Sequence, residues 1–254
     1  MREWITGRNP VYEALRAGRR EIFHLLVADG VSEKGRLADI FHLASSRKVS
    51  VERVRRAQMD RRGDNHQGVA LEVGAYPYAN LADILDLAKT RQEPPFILIL
   101  DTLQDPQNLG TLLRTGEAVG IHGVLLPLRR TATVTAAVVN ASSGASEHLL
   151  IAQTNLAQGI AALKDHGVWI VGLEGDAQAQ DVEKIRLDGS LALVVGNEAE
   201  GMRRLIRESC DVLLRLPMRG KVDSLNAAVA GSIALYLAWQ ARGFYQDELP
   251  ARGK

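Results

Sequence analysis

The chain has 254 residues, 46% of them hydrophobic and 24% charged, with a net charge of +1; that is enough for one large or two modest domains with a sizeable core. No run of 18 apolar residues occurs, which excludes a membrane-spanning helix, and the opening MREWITGRNP lacks an apolar signal core, so a cytoplasmic protein is expected. The one cysteine, Cys210, can form no internal disulfide, and no cluster has zinc spacing, so no metal is expected.

In chain order, Asn9-Pro10 reads as an N-cap followed by proline at the first helical position, with Gly18 ending that helix. Phe23 to Ala28 reads as a buried strand. Residues 33–47 have helical spacing, with Leu37, Ile40, Phe41 and Ala44 on one face. Val49 to Val54 and Val69 to Val73 read as strands, joined by a polar loop, RRGDNHQG. Residues 1–80 hold 14 Lys and Arg against 10 Asp and Glu, and the excess gathers at Arg53, Arg55, Arg56, Arg61 and Arg62. Taken alone, that pattern suits a solvated helix face somewhat better than a phosphate-binding stripe.

A turn-like seam, Gly74 to Asn80, separates this part from the rest. The division expected is a first domain over 1–74, a linker over 75–79 and a second domain over 80–254. The second domain opens with a helix over 81–91. The pattern then repeats βα: strand Ile97 to Leu100, helix 106–119 capped by Asp105, strand Val124 to Leu126 and a helical stretch Val134 to Ala141. Strands Trp169 to Leu173 and Leu191 to Val195, helix 200–209, strand Val212 to Leu216 and helix 224–242 follow. Continuous apolar strands alternating with helices predict an α/β fold with a largely parallel, doubly wound sheet.

Three short blocks fall where a strand or loop hands over to a helix: Asn108 to Arg114, Gly196 to Gly201 and Ser224 to Asn226. Open α/β sheets bind their ligands at such ends. Asn108 lies in the first turn of its helix. Arg114, beside Leu112 and Leu113, needs a partner, and Glu117 three residues on is the plain one. Gly196 follows an apolar strand directly, with Glu198 in the same loop, which suits close approach to a ligand or a simple turn with a capping glutamate. Ser224 reads most simply as an N-cap, which leaves Asn226 without a capping role and makes it the stronger site candidate. No G-x-G-x-x-G and no phosphate-cradling loop occurs, so a nucleotide-like cofactor need carry no pyrophosphate. S-adenosylmethionine fits, since tight loops can hold adenine and ribose through backbone groups. The six histidines form no catalytic pattern, and His122 and His148 read as structural.

In combination the three blocks, with Asp101, Asp105-Pro106 and Asn140 to Ala145, resemble the SpoU (TrmH-type) family of RNA ribose 2′-O-methyltransferases. Ile5 to Leu15 and His66 to Val69 are similar to one branch, the bacterial enzymes that methylate a guanosine ribose in large-subunit (23S) ribosomal RNA. The resemblance implies an N-terminal ribosomal-protein-like α/β RNA-binding domain and a C-terminal SPOUT domain with a deep trefoil knot. It implies S-adenosylmethionine held by Gly196, Leu216, Met218 and Leu225, and catalysis by Arg114 with Asn108, Glu198, Ser224 and Asn226. Ribosomal RNA is the implied substrate and a homodimer the implied assembly. RNA contacts are expected at Arg8, Asn9, Arg53, Arg55, Arg56, Arg61, Arg62 and His66. A transfer RNA ribose methyltransferase and a non-catalytic RNA-binding or ribosome-assembly protein of the same fold are the alternatives.

Overall fold

The computed structural model describes residues 2–63, 65–176, 178–197 and 200–243, which form two compact units. The first comprises Met1–Ala79 together with Gln104–Glu117 and Ala132–Leu150. Its sheet has four strands in the order β1 (Glu3–Thr6), β4 (Val69–Val73), β2 (Ile22–Ala28), β3 (Ser50–Val54). β4 runs antiparallel to both neighbours, and β2 and β3 are parallel. Helices α1 (Arg8–Ala17) and α2 (Arg36–Ser46) pack on each other, and Ile5, Leu15, Leu25, Leu37, Ile40, Met59 and Leu71 fill the core. α1 begins earlier than Asn9-Pro10 suggested: Gly7 is its N-cap, and Pro10 sits inside the first turn, where a missing N–H costs nothing. Gly18 ends it in the left-handed conformation, as expected. β3 is an edge strand with four of its five residues exposed, and its charged side chains discourage pairing with another chain. A short helix, α3 (Arg56–Met59), lies between β3 and the stretch RRGDNHQG, in residues to which the sequence pattern assigned no element.

The later segments of this unit fasten onto its first 20 residues. Helix α5 (Pro106–Ala118) is capped by Asp105, whose carboxylate accepts from the Gln107 amide at 3.0 Å. Helix α6 (Ala136–Ala141) receives the Glu3 carboxylate at its first amide, at 2.9 Å, where the helix dipole favours negative charge. Arg20 and Glu147 are both 1% exposed and form a forked ion pair at 2.9–3.1 Å; the Arg20 guanidinium also donates to Glu3 and to the Gly74 carbonyl. Tyr76 donates to the carbonyls of Ser146 and Leu149, and burial pushes its hydroxyl up to about 12. The first 79 residues are thus fixed to residues 132–150 by buried polar contacts.

The second unit holds a seven-stranded sheet, ordered β7 (Ile151–Thr154), β6 (Gly123–Pro127), β5 (Phe96–Leu100), β10 (Leu191–Val195), β8 (Trp169–Leu173), β11 (Val212–Arg215), β9 (Gln180–Asp181). Every strand pair is parallel. Every residue of β5, β6 and β10 is buried, the pattern of strands covered on both faces. The chain runs outward from β5 to β7, then crosses over, so β10 lies between β5 and β8 at a switch in strand order. Helices α4 (Leu81–Arg91), α7 (Leu156–Asp165), α8 (Arg204–Ser209) and α9 (Ala227–Ala241) complete the unit. α9 lies on β10 and β8 with Ala228, Ala234 and Ala238 buried. Arg242 closes its C-terminal end, donating to the carbonyls of Pro94 and Gly189. Cys210 ends α8 and donates to the Ile206 carbonyl; burial pushes its thiol up to about 12, which fits a packing role.

The buried Arg20–Glu147 pair carries a prediction. Arg20→Met should cost about 3–5 kcal/mol, because it strands a buried carboxylate, while adding Glu147→Leu should recover much of that loss. Urea unfolding of the two variants measures the difference.

Candidate active site

The second unit carries a cavity of about 830 Å³ at the carboxyl ends of β8, β10 and β11. In-register pairing sets Val195 beside both Leu100 and Leu173, so the strands around it end level. Its wall is built from Leu173 and Glu174, Val195 to Asn197, Arg215 to Met218 and Val222 to Leu225. All four residues expected to hold a cofactor, Gly196, Leu216, Met218 and Leu225, line it, and so does Ser224.

The shape of this wall depends on backbone packing. A Cβ on Gly196 would fall 2.3–2.5 Å from backbone atoms of Gly201 and Met202, so the close approach that glycine permits here is to the chain itself. Asn197 and Gly201 exchange both backbone hydrogen bonds, at 3.0 and 2.9 Å, which pinches the loop. The Asn197 side-chain amide donates to the Thr102 carbonyl at 3.1 Å. Asp101 is fully buried, and its carboxylate accepts from the Arg203 amide and Nε, both at 2.8 Å, and from Nη2 at 2.7 Å. The loop after β10 is therefore stapled to the end of β5. Glu198 lies outside the described residues. Gly201 does not open a helix: α8 starts at Arg204, because residues 200–203 are spent on the staple.

Among the described residues, the cavity wall holds the carboxylates of Glu174, Asp181, Glu200 and Asp223 against one guanidinium, Arg215, itself paired with Asp181 at 2.7 Å. Its charge favours a cationic ligand. Leu173, Val195, Leu216, Pro217, Met218, Val222, Leu225, Ala227 and Ala230 supply apolar surface for a planar ring. Met218, Val222 and Leu225 are 42, 65 and 37% exposed at the wall. These residues fit S-adenosylmethionine: apolar surface for adenine, carboxylates for the sulfonium, ammonium and ribose hydroxyls.

The C-terminal block differs from the sequence reading. Helix α9 begins at Ala227, not Ser224, and Asn226 is its N-cap, accepting from the amides of Ala228 and Val229 at 2.9 and 3.2 Å. The capping role assigned to Ser224 belongs to Asn226. Ser224 is instead exposed on the cavity wall.

In the first unit, Asn108 lies in the first turn of α5 and Arg114 on its exposed side. Leu112 and Leu113 are buried but Arg114 is not, so it has no desolvated charge to pair; its guanidinium donates to Ser143 Oγ at 3.1 Å. Among the described residues no ion pair joins it to Glu117.

The residues expected to meet RNA are divided. Arg8, Arg56 and His66 line a second cavity, of about 570 Å³, in the first unit. Within it, His66 Nδ1 accepts from the Gly68 amide at 2.9 Å while Nε2 faces Asp60 at 3.0 Å, so both ring nitrogens are engaged. Arg53 pairs with Glu33 on the sheet edge, and Arg62 sits 4.4 Å over the Trp4 ring. Asn9, Arg55 and Arg61 are exposed. His122 and His148 are structural: His122 Nδ1 accepts from the Phe96 amide, with burial pulling it down to about 4, and His148 meets Glu13 at 2.7 Å. No group of three His, Cys, Asp or Glu that could hold a metal occurs among the described residues.

Comparison with known proteins follows the same division. The SpoU rRNA Methylase family matches residues 95–236, and the family described as RNA 2′-O ribose methyltransferase substrate binding matches residues 4–79. A Bacillus subtilis (strain 168) protein, YacO, assigned to the TrmH family of tRNA/rRNA methyltransferases, is 40% identical over 94% of this chain and 96% of its own. An AdoMet-bound rRNA methyltransferase from Sinorhizobium meliloti aligns with a TM-score of 0.75 and 26% identity, over 94% of this chain and 87% of its own. A TrmH/SpoU tRNA-modifying enzyme from A. aeolicus aligns with a TM-score of 0.55 and 25% identity, over 65% of this chain and 81% of its own.

Gly196 gives the sharpest test of the cavity's construction. Gly196→Ala should lose about 1–3 kcal/mol of stability, since its methyl meets backbone that cannot swing away. Gly175→Ala, on the same wall but with nothing within 4 Å of the added Cβ, should stay within roughly 0.5 kcal/mol of the wild type in the same urea titration.

Proposed function

The chain belongs to the SpoU rRNA methylase family of S-adenosylmethionine-dependent RNA methyltransferases, and from that premise we propose that it methylates the ribose 2′-hydroxyl of a guanosine in 23S ribosomal RNA. The observation that carries the reading is the second unit's cavity, where Gly196, Leu216, Met218 and Leu225 converge under an excess of carboxylates. Ribosomal rather than transfer RNA is favoured because the likeness to an rRNA methyltransferase spans nearly the whole chain, whereas that to a tRNA-modifying enzyme spans two thirds. A non-catalytic RNA-binding protein would have no use for a cavity of this charge and lining.

S-adenosylmethionine, when bound, supplies a methyl group already activated by a sulfonium. The chain's task is then to position a ribose 2′-oxygen and to support its negative charge as the proton leaves. We assign Arg114 to that charge. A guanidinium stays protonated, which suits a donor of hydrogen bonds better than a base. Asn108, Glu198, Ser224 and Asn226 are assigned to orienting Arg114 and the nucleotide, with Asn226 also fixing the start of α9. Residues 1–74 serve as the RNA-binding domain, through Arg8, Asn9, Arg53, Arg55, Arg56, Arg61, Arg62 and His66, with 75–79 as linker and 80–254 as the methyltransferase domain. The trefoil knot of the family is proposed for the loops at Gly196, Leu216 to Met218 and Leu225.

A homodimer is proposed through α9. On α9, Val229, Ile233 and Tyr236 recur at helical spacing and are 46, 40 and 48% exposed; Leu225, just before the helix, is 37% exposed, and Leu237 is half-buried.

Two outcomes are expected. Arg114→Ala should lower turnover by roughly 10²–10³, the scale of a lost charge-stabilising donor. Its affinity for S-adenosylmethionine, measured by calorimetry, should be unchanged, and Arg114→Lys should fail as well. Ribose-methylation mapping of 23S RNA and transfer RNA separates the substrates, and a wild-type chain that binds no S-adenosylmethionine would overturn the reading. In sedimentation at micromolar concentration the wild type should run as a dimer and Ile233→Glu as a monomer; a monomeric, active wild type would contradict the dimer.

A further inference from the structure

We propose that Ser143 is a positioning residue for Arg114, and that the turn over residues 140–145 sets where that arginine can reach. The inference rests on the reading of Arg114 given above, but its geometry is independent of it. Four observations converge on the turn.

The first is the contact itself: the Arg114 guanidinium donates to Ser143 Oγ at 3.1 Å. The second is the approach of the two segments. Gly110 lies one helical turn before Arg114, on the same face of α5. A Cβ there would fall 2.4 Å from Ala141 Cβ and 2.9 Å from the Ala141 carbonyl carbon and the Ser142 nitrogen. The helix is therefore pressed against the turn, which brings the arginine within reach of the serine.

The third observation is backbone conformation. Ser143 has φ of 54°, a left-handed conformation disfavoured for a residue with a side chain. The turn holds it there: the Ser143 amide donates to Asn140, and the Gly144 amide to Val139. The fourth is anchorage. The Ser142 hydroxyl is buried and donates to the Val139 carbonyl, the Asn140 amide donates to Thr6 Oγ1 at 3.2 Å, and Gly144 packs against Glu13. A serine whose backbone is held in this way offers its oxygen from a fixed point on the turn. It can hold a long, exposed, rotamer-rich guanidinium in one pose before any RNA arrives.

The test separates the hydroxyl from the backbone. Ser143→Gly removes Oγ but suits the left-handed conformation, so the fold should be as stable as the wild type or more so. In single-turnover methylation of 23S RNA, its rate should fall about tenfold to a hundredfold. Its melting temperature should not drop, and its affinity for S-adenosylmethionine should match the wild type. Ser143→Asn tolerates the same φ and offers an amide oxygen, and should recover part of the rate. A Ser143→Gly rate equal to the wild type overturns the proposal. So does a rate loss matched by equal loss of stability or cofactor affinity, which would mark Ser143 as merely structural. If the wild type itself transfers no methyl to RNA, the reading of the site fails and this inference falls with it.

Discussion

The carboxylate of Asp101 is the constraint on which the second unit's cavity depends. It is fully buried at the end of β5, where an unpaired charge would be very unfavourable. Arg203 satisfies it through one backbone and two side-chain nitrogens, and in doing so brings the loop after β10 back across the strand ends. The rest follows from that return. Gly196 must lack a side chain because Gly201 and Met202 now lie against it, and Asn197 is close enough to donate to Thr102. A residue that does not line the cavity thus determines its shape.

The first unit is held by a similar device. Arg20 and Glu147 stand 127 positions apart, yet their side chains meet in a buried fork, with Glu3 shared between Arg20 and the first amide of α6. Each charge of such a pair is tolerable only where the other is present, so removing one partner costs more than the pair itself contributes. The consequence is a definite arrangement of residues 132–150 on the N-terminal sheet. Residues 132–150 lie far along the chain from the first 74, and nothing in the local pattern around Glu147 marks it as buried.

What the sequence made legible depended on how local the cause was. The strands Trp169 to Leu173 and Leu191 to Val195 have the bounds expected, because continuous apolar runs have no other stable use in an α/β chain. β1 and β7 were missed, being four residues each and carrying polar residues among the apolar ones. α7 was missed although Asn155 caps it through two amides, a signal that was present in the sequence. At the site, the four cofactor candidates share one cavity, yet the reasons given for individual residues shifted. Asn226 caps a helix, and Gly196 accommodates backbone. The first turns on where α9 begins, a quantity weakly fixed by local pattern, and the second on a contact with Gly201 and Met202 that exists only once the loop after β10 has folded back.

The distribution of unusual groups bears on the kind of chemistry the chain performs. Burial shifts Tyr76, Cys210 and His122 strongly, and each has a backbone partner in the fold: Tyr76 the Leu149 carbonyl, Cys210 that of Ile206, and His122, through Nδ1, the Phe96 amide. The residues of the three blocks show a different kind of specialisation. Gly196 and Gly110 admit backbone contacts that a methyl group would forbid, and outside the blocks Ser143 is held at a left-handed φ. Transfer of a methyl group from a sulfonium needs little help from a tuned acid or base, because the leaving group is already charged. It needs the acceptor oxygen held on line and its charge met by a fixed donor. Each unit meets part of its constraint in backbone packing, at Gly196 in one and Gly110 in the other, and part in a buried ion pair, Asp101–Arg203 in one and Arg20–Glu147 in the other.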